Sequence, residues 1–172
     1  MIVNKSITLT LELDKEDIEN YRHKFVREKL KGHVIAIIKQ NEKVLLIRRK
    51  KSKSKNNLCL PGGDISIKES YKKGLEREMK EELGIQIINS KIISKIKNLY
   101  CVEGIVKLES SGYIIEVINY LGDIVLKSDE VDDVEWCDIQ NPPKMKFEND
   151  KILKFLINNT QSQINLTYKR NL

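Results

Sequence analysis

Leu75, Met79 and Leu83 recur at four-residue intervals, and Glu78, Glu81 and Glu82 lie beside them. Four residues is close to one helical turn, so the apolar residues form a stripe that can pack on a sheet while the carboxylates gather on the adjoining arc. Like charges three or four residues apart on a helix each cost roughly 0.2–0.5 kcal/mol. Arg77 and Lys80 screen part of that repulsion. The rest is met either by solvent along an exposed charged face or by a bound cation. Gly84, just past the last periodic residue, suits a left-handed C-cap with Ile85 as its apolar contact, which stops the helix and turns the chain into a strand. At the other end Ser66 with Glu69 reads as a capping box, and Ser70 is an equally good N-cap. A Leu-Pro-Gly-Gly turn, residues 60–63, comes immediately before. An oxygen-only donor set with no neighbouring His or Cys points to Mg²⁺, with Mn²⁺ as substitute, and away from zinc.

Such a helix needs a sheet, and the chain supplies strand patterns on both sides of it. Ile7, Leu9, Leu11 and Leu13 alternate with polar residues at the period of a half-buried strand. Asp14 then reads as an N-cap, and Ile18, Tyr21 and Phe25 recur at helical spacing between Lys15 and Leu30, with the aromatics as core. His33–Gln40 and Lys43–Arg49 form a hairpin around Asn41-Glu42. Further strands are expected at Ile85–Ile88, Lys91–Val102, Tyr113–Leu121 and Val134–Asp138. Asn141-Pro142-Pro143 breaks the chain, and Phe147–Asn158 reads as a closing helix. The fold class is therefore α/β, a mixed β-sheet between helices in an α/β/α sandwich. Residues 1–32 are a strand–helix extension packed on a domain spanning 33–160, and 161–172 are a polar C-terminal tail.

With 172 residues, 40% hydrophobic and 33% charged, the chain has enough apolar material for one soluble domain with a single core. Met1–Lys5 has no signal-peptide apolar region and no run reaches transmembrane length, so the expected location is cytoplasmic. Cys59, Cys101 and Cys137 are odd in number and widely spaced, which indicates reduced thiols. The net charge of +6 favours a polyanionic partner. Its placement is more informative. Arg48, Arg49, Lys50 and Lys51, then Lys53 and Lys55, lie between a strand end and the Pro-Gly-Gly turn, where Arg48, Arg49 and Lys51 are candidate phosphate contacts. No aromatic residues interleave these cations, so an RNA-binding platform is not indicated.

Gly63, Glu69, Arg77-Glu78, Glu81-Glu82, Gly84 and Ile85 fill every fixed position of the signature G-x5-E-x7-R-E-U-x-E-E-x-G-U, where U is bulky and apolar. Residues 63–85 therefore resemble the Nudix box, and a looser resemblance runs from His33 to Leu156. The resemblance implies a Nudix-type fold and a Mg²⁺-dependent hydrolase that cuts a pyrophosphate bond in a nucleoside diphosphate linked to another group. It makes Gly62, Glu78, Glu81 and Glu82 the metal ligands, Gly62 through its carbonyl. Arg77 would hold a glutamate in place, Glu69 would stand behind the ligands, and the helix would start at Ser70. Attack by water requires a base, for which Glu78 and Glu130 compete. Two positions depart from the family pattern: Leu58 stands where relatives carry Trp, and Gly74 where Ala is usual. His23, His33 and Trp136 read as scaffold. The substrate expectation is a nucleoside triphosphate or modified nucleotide. Alternatives are a dinucleoside polyphosphate, a nucleotide sugar, an RNA 5′ end, or a catalytically idle nucleotide-binding module. A monomer or homodimer without membrane partners is expected.

Overall fold

The computed structural model describes residues 5–50, 57–126, 128–158 and 163–169. Among these described residues, nine strands and three helices follow in the order β1 (Ser6–Glu12), α1 (Lys15–Arg27), β2 (Leu30–Gln40), β3 (Lys43–Arg49), β4 (Leu58–Cys59), β5 (Gly62–Ser66), α2 (Tyr71–Leu83), β6 (Gln86–Val102), β7 (Ile105–Leu121), β8 (Val131–Asp138), α3 (Asn149–Asn158) and β9 (Gln163–Lys169). A single 3₁₀ turn, Lys146–Glu148, leads into α3. Among the described residues no helix is long and apolar enough to cross a membrane.

The sheet is mixed and runs β4-β3-β2-β7-β6-β1-β9, with β5 added to β2 and β8 to β3. Its two halves part in the middle. β2 and β3 pair only at Lys39 with Val44 and Gln40 with Lys43. Beyond that point β5 lies along β2 from Leu30 to Ile35, and β4 lies along Ile47 and Arg48 of β3. The Leu60-Pro61 turn sits in the wedge, fixed by a bond from Ala36 N–H to the Pro61 carbonyl, 2.8 Å.

Each face of the sheet carries its own apolar layer. Leu75, Met79 and Leu83 of α2 are fully buried against Val34, Ala36, Ile38, Leu45, Ile47 and Ile65. Side chains of this size contribute about 1.5–3 kcal/mol each when buried, which anchors the stripe and leaves the carboxylate arc free to face the wedge. Ile18 of α1 and Ile152, Leu153 and Phe155 of α3 pack on the other face with Ile7, Leu9, Ile96 and Ile114. Helices thus cover both faces, as the α/β/α reading requires.

Ser70 is the N-cap of α2, accepting from Lys73 N–H at 3.2 Å, and Gly84 closes the helix with φ 72°. Ser66 has a different role: its N–H donates to Glu69 Oε1 at 3.1 Å. Gly74, a poor helix former, has a packing reason, because a Cβ there would come within 2.2 Å of Ile65 Cδ1.

Several boundaries differ from expectation. The two strands expected over Ile85–Val102 are one strand, β6, broken only by register shifts. β7 starts at Ile105 instead of Tyr113, because Glu103 and Gly104 both adopt positive φ and make a two-residue hairpin turn. The closing helix begins at Asn149, and Phe147, expected inside it, is left-handed at φ 55°. The largest correction is at the C-terminal end. The expected polar tail contains β9, parallel to β1 from Ser6 with Gln163 to Glu12 with Lys169. Ile164, Leu166 and Tyr168 alternate along it and pack on the core.

Candidate active site

Two glycines bring the turn against the helix. A Cβ on Gly62 would stand 2.1 Å from the Val34 carbonyl oxygen, and one on Gly63 would overlap the Glu78 carboxylate, 2.2 Å from its carbon. No other residue type fits either position without moving its neighbours. The close approach brings the Gly62 backbone beside the carboxylates of α2.

Those carboxylates differ in environment. Glu81 is exposed, Glu78 is mostly buried, and Glu82 is only 4% exposed. One oxygen of Glu82 faces Arg49 at 3.4 Å, and the other, Oε2, is buried with no hydrogen-bond partner. Burial lifts the Glu82 carboxyl from the ordinary 4.5 to about 7, against the pull of Arg49 and with a further push from Glu78. Burial also raises Glu78, opposed by Arg77.

Two arginines hold this acidic group together. Arg77 grips Glu69 with both ends of its guanidinium, Nε to Oε2 at 3.1 Å and Nη2 to Oε1 at 2.8 Å. It also donates to Glu78 at 2.8 Å, to Glu81 at 3.1 Å and to the Asp64 carbonyl at 3.0 Å. The Glu69 carboxyl is held below its ordinary value by the Arg77 hydrogen bonds. Arg49 donates to the Gly62 carbonyl at 3.2 Å and faces Glu82 at 3.4 Å and Glu130 at 3.5 Å. Arg49 and Glu130 therefore belong to the same cluster, although Glu130 is exposed and comes from the loop before β8.

The structure divides the expected phosphate contacts. Arg48 points to the other face of β3, bonded to Asn57 at 3.0 Å and Glu135 at 3.1 Å, and does not line the cleft. Consecutive residues of a strand face opposite ways, so Arg48 and Arg49 cannot both enter one site. Lys51, Lys53 and Lys55 lie outside the described residues.

The carboxylates open into a cleft of about 1070 Å³. Its lining also includes residues of elements whose side chains carry no site signal in sequence: Tyr21 and Lys24 of α1, Phe147 of the 3₁₀ turn and Tyr168 of β9. Lys24 pairs with Asp64 of β5 at 2.5 Å, which ties α1 to the strand that carries Gly62 and Gly63. Burial lowers the Lys146 ammonium, with a further push in the same direction from Arg49. On the floor, His33 Nδ1 lies 3.3 Å from Ser110 Oγ, and burial lowers the imidazole to about 4, so it is neutral at pH 7. Cys59 is buried beside Arg49, and burial raises its thiol.

Among the described residues, no group of three His, Cys, Asp or Glu side chains is already gathered as a metal cage. Arg77 and Arg49 occupy the carboxylate oxygens instead. The donor set nevertheless fits a hard divalent cation: oxygen ligands only, with an unpartnered buried carboxylate oxygen on Glu82 beside the mostly buried Glu78.

Comparison with known proteins shows which family this fold belongs to. The NUDIX domain model matches residues 29–156. An ADP-ribose pyrophosphatase of Methanocaldococcus jannaschii is 30% identical over 148 residues, covering 83% of this chain and 80% of that protein. Among solved structures, the MutT protein of Bacillus halodurans superposes with a TM-score of 0.64 at 20% identity, covering 83% of this chain and 91% of that one. The NUDIX domain of Shewanella oneidensis NrtR, crystallised with ADP ribose, gives 0.57 at 16% identity over 87% of this chain and 100% of that one.

Proposed function

The chain belongs to the Nudix family and is a pyrophosphohydrolase; from that premise we propose that its substrate is a nucleoside diphosphate linked to a sugar, with ADP-ribose as the leading member of the class. The observation that carries the reading is the buried Glu82, with one unpartnered oxygen, beside the mostly buried Glu78 in a cleft also lined by aromatic side chains. The relative from Methanocaldococcus jannaschii supports the sugar nucleotide over the nucleoside triphosphate expected from sequence.

Glu78, Glu81, Glu82 and the Gly62 carbonyl would hold Mg²⁺ or Mn²⁺, which when bound neutralises phosphoryl charge and acidifies water. Arg77 keeps Glu78 and Glu69 in fixed positions, so the ligand arc is formed before substrate arrives. Arg49, already on the Gly62 carbonyl and Glu82, is the cation placed to meet a substrate phosphate oxygen. Glu130 is the proposed base. Glu78 is committed to Arg77 and wedged over Gly63, whereas Glu130 stands at the cleft wall with its carboxylate exposed and 3.5 Å from Arg49. Water attack on one phosphorus breaks the anhydride and leaves a nucleoside monophosphate and a sugar phosphate.

The test is a Mg²⁺-dependent screen with product analysis by anion-exchange chromatography. AMP and ribose 5-phosphate released from ADP-ribose faster than pyrophosphate from any nucleoside triphosphate is the expected result. The reverse ranking would restore the triphosphate assignment, and no cleavage of either would refute the substrate reading.

A further inference from the structure

Phe147 and Tyr168 line the cleft together, their ring centroids 5.6 Å apart and tilted by 54°. Phe147 leaves 38% of its surface exposed there. Its backbone is also unfavourable. Phe147 and Glu148 both sit in the left-handed region, at φ 55° and 56°, where a bulky side chain is an outlier. The surrounding structure holds that conformation in place: Asn149 Nδ2 donates to the Phe147 carbonyl at 3.3 Å. Its Oδ1 accepts from Leu60 N–H at 2.9 Å, and Asn149 itself is buried. A fold that keeps a strained backbone in order to leave an aromatic ring in water is keeping that ring for something else to cover.

What covers it follows from the neighbours. The Lys146 ammonium lies 5.4 Å from the Phe147 ring centroid, and Arg49, which lines the same cleft, contacts Glu82 and the Gly62 carbonyl. The same cleft therefore carries a cation beside the acidic cluster and a pair of aromatic rings. A nucleoside diphosphate bears groups complementary to both: phosphates for the cation and a planar base for an aromatic ring.

We propose that Phe147 and Tyr168 form the stacking face for the substrate's nucleobase, so that the 3₁₀ turn and β9 complete the substrate site. Tyr168 lies beyond residues 29–156, the span that matches the family model. The proposal rests on the hydrolase reading and names the part of the substrate that this wall recognises.

Calorimetric binding of AMP without divalent cation tests it apart from catalysis. Phe147→Asn and Tyr168→Leu are expected to weaken AMP by about 5- to 100-fold, the range for loss of one base–aromatic stack. Tyr168→Phe should bind like wild type, and ribose 5-phosphate, which has no base, should bind all four proteins alike. For the nucleotide substrate, KM should rise by the AMP factor while kcat stays within about twofold. Asn tolerates left-handed backbone, so Phe147→Asn should keep the wild-type melting temperature or exceed it. Unchanged AMP affinity in Phe147→Asn overturns the proposal. Equal weakening of AMP and ribose 5-phosphate also overturns it, since that marks a general collapse of the site. If the hydrolase reading fails instead, wild type cleaves nothing while the AMP contrast persists.

Discussion

Replacing Glu82 with Gln should stabilise the metal-free protein at alkaline pH while abolishing its activity. The Glu82 carboxyl rises from 4.5 in an open chain to about 7 when folded, because its side chain is 5% exposed. A carboxyl raised on folding contributes stability that is fully present below the unfolded value and lost as pH climbs through the folded one. The rise corresponds to roughly 3 kcal/mol forfeited by pH 8.5. Glutamine has no charge to lose, but it gives up the 3.4 Å pairing with Arg49, whose contacts to the Gly62 carbonyl and Glu130 remain. A net gain of about 1–2 kcal/mol is expected, which for a domain of this size is roughly 2–8 °C in melting temperature. Thermal unfolding of both proteins in chelator from pH 5 to 8.5 measures it. The curves should approach each other toward pH 5, separate mainly between pH 5 and 7, and run at a nearly constant gap above pH 7, where Glu82 is ionised in both states. Added Mg²⁺ should stabilise the wild type alone. A Glu82→Gln protein less stable than wild type at pH 8.5, or a gap of constant size across the range, would refute the argument.

Gly63→Ala should cost more than tenfold in kcat, since the new methyl group takes the space of the Glu78 carboxylate; wild-type turnover would show that the helix can yield. Arg77→Lys loses the two-point grip on Glu69 and should lower kcat at least tenfold with a small change in melting temperature, which steady-state assay and calorimetry can separate. Glu130→Gln should lower kcat steeply at unchanged metal affinity by titration calorimetry; a loss under about tenfold, roughly 1.4 kcal/mol of barrier, would move the base role to Glu78. Chelation should abolish turnover, and Mg²⁺ or Mn²⁺ should restore it; full activity in excess chelator would remove the metal from the mechanism.

The acidic centre is legible in sequence because it is local. Glu69, Arg77, Glu78, Glu81 and Glu82 lie within fourteen residues; helical spacing sets the mutual positions of the last four, and Glu69 is tied to them by Arg77. Which of Arg48 and Arg49 enters the site is not legible. Strand parity decides it, and Val44, Leu45, Leu46 and Ile47 are buried on both faces of β3, so the apolar pattern does not distinguish inside from outside. The aromatic wall fails for a different reason. Tyr168 reaches the cleft through a pairing between the two ends of the chain, and the left-handed backbone at Phe147 has no glycine or asparagine to announce it. β9 was within reach, since Ile164, Leu166 and Tyr168 alternate strictly with polar residues. Its polar composition concealed a half-buried edge strand.

The parallel pairing of β1 with β9 also sets an order of events during synthesis. β1 leaves the ribosome first among the described strands, and its outer neighbour leaves last. Until Gln163–Lys169 has emerged, β1 has an open row of amide and carbonyl groups along its outer side, which can recruit a strand from another nascent chain. A transcript that stops short of this segment would therefore yield a protein with its glutamates in place, an unsealed flank and a tendency to self-associate.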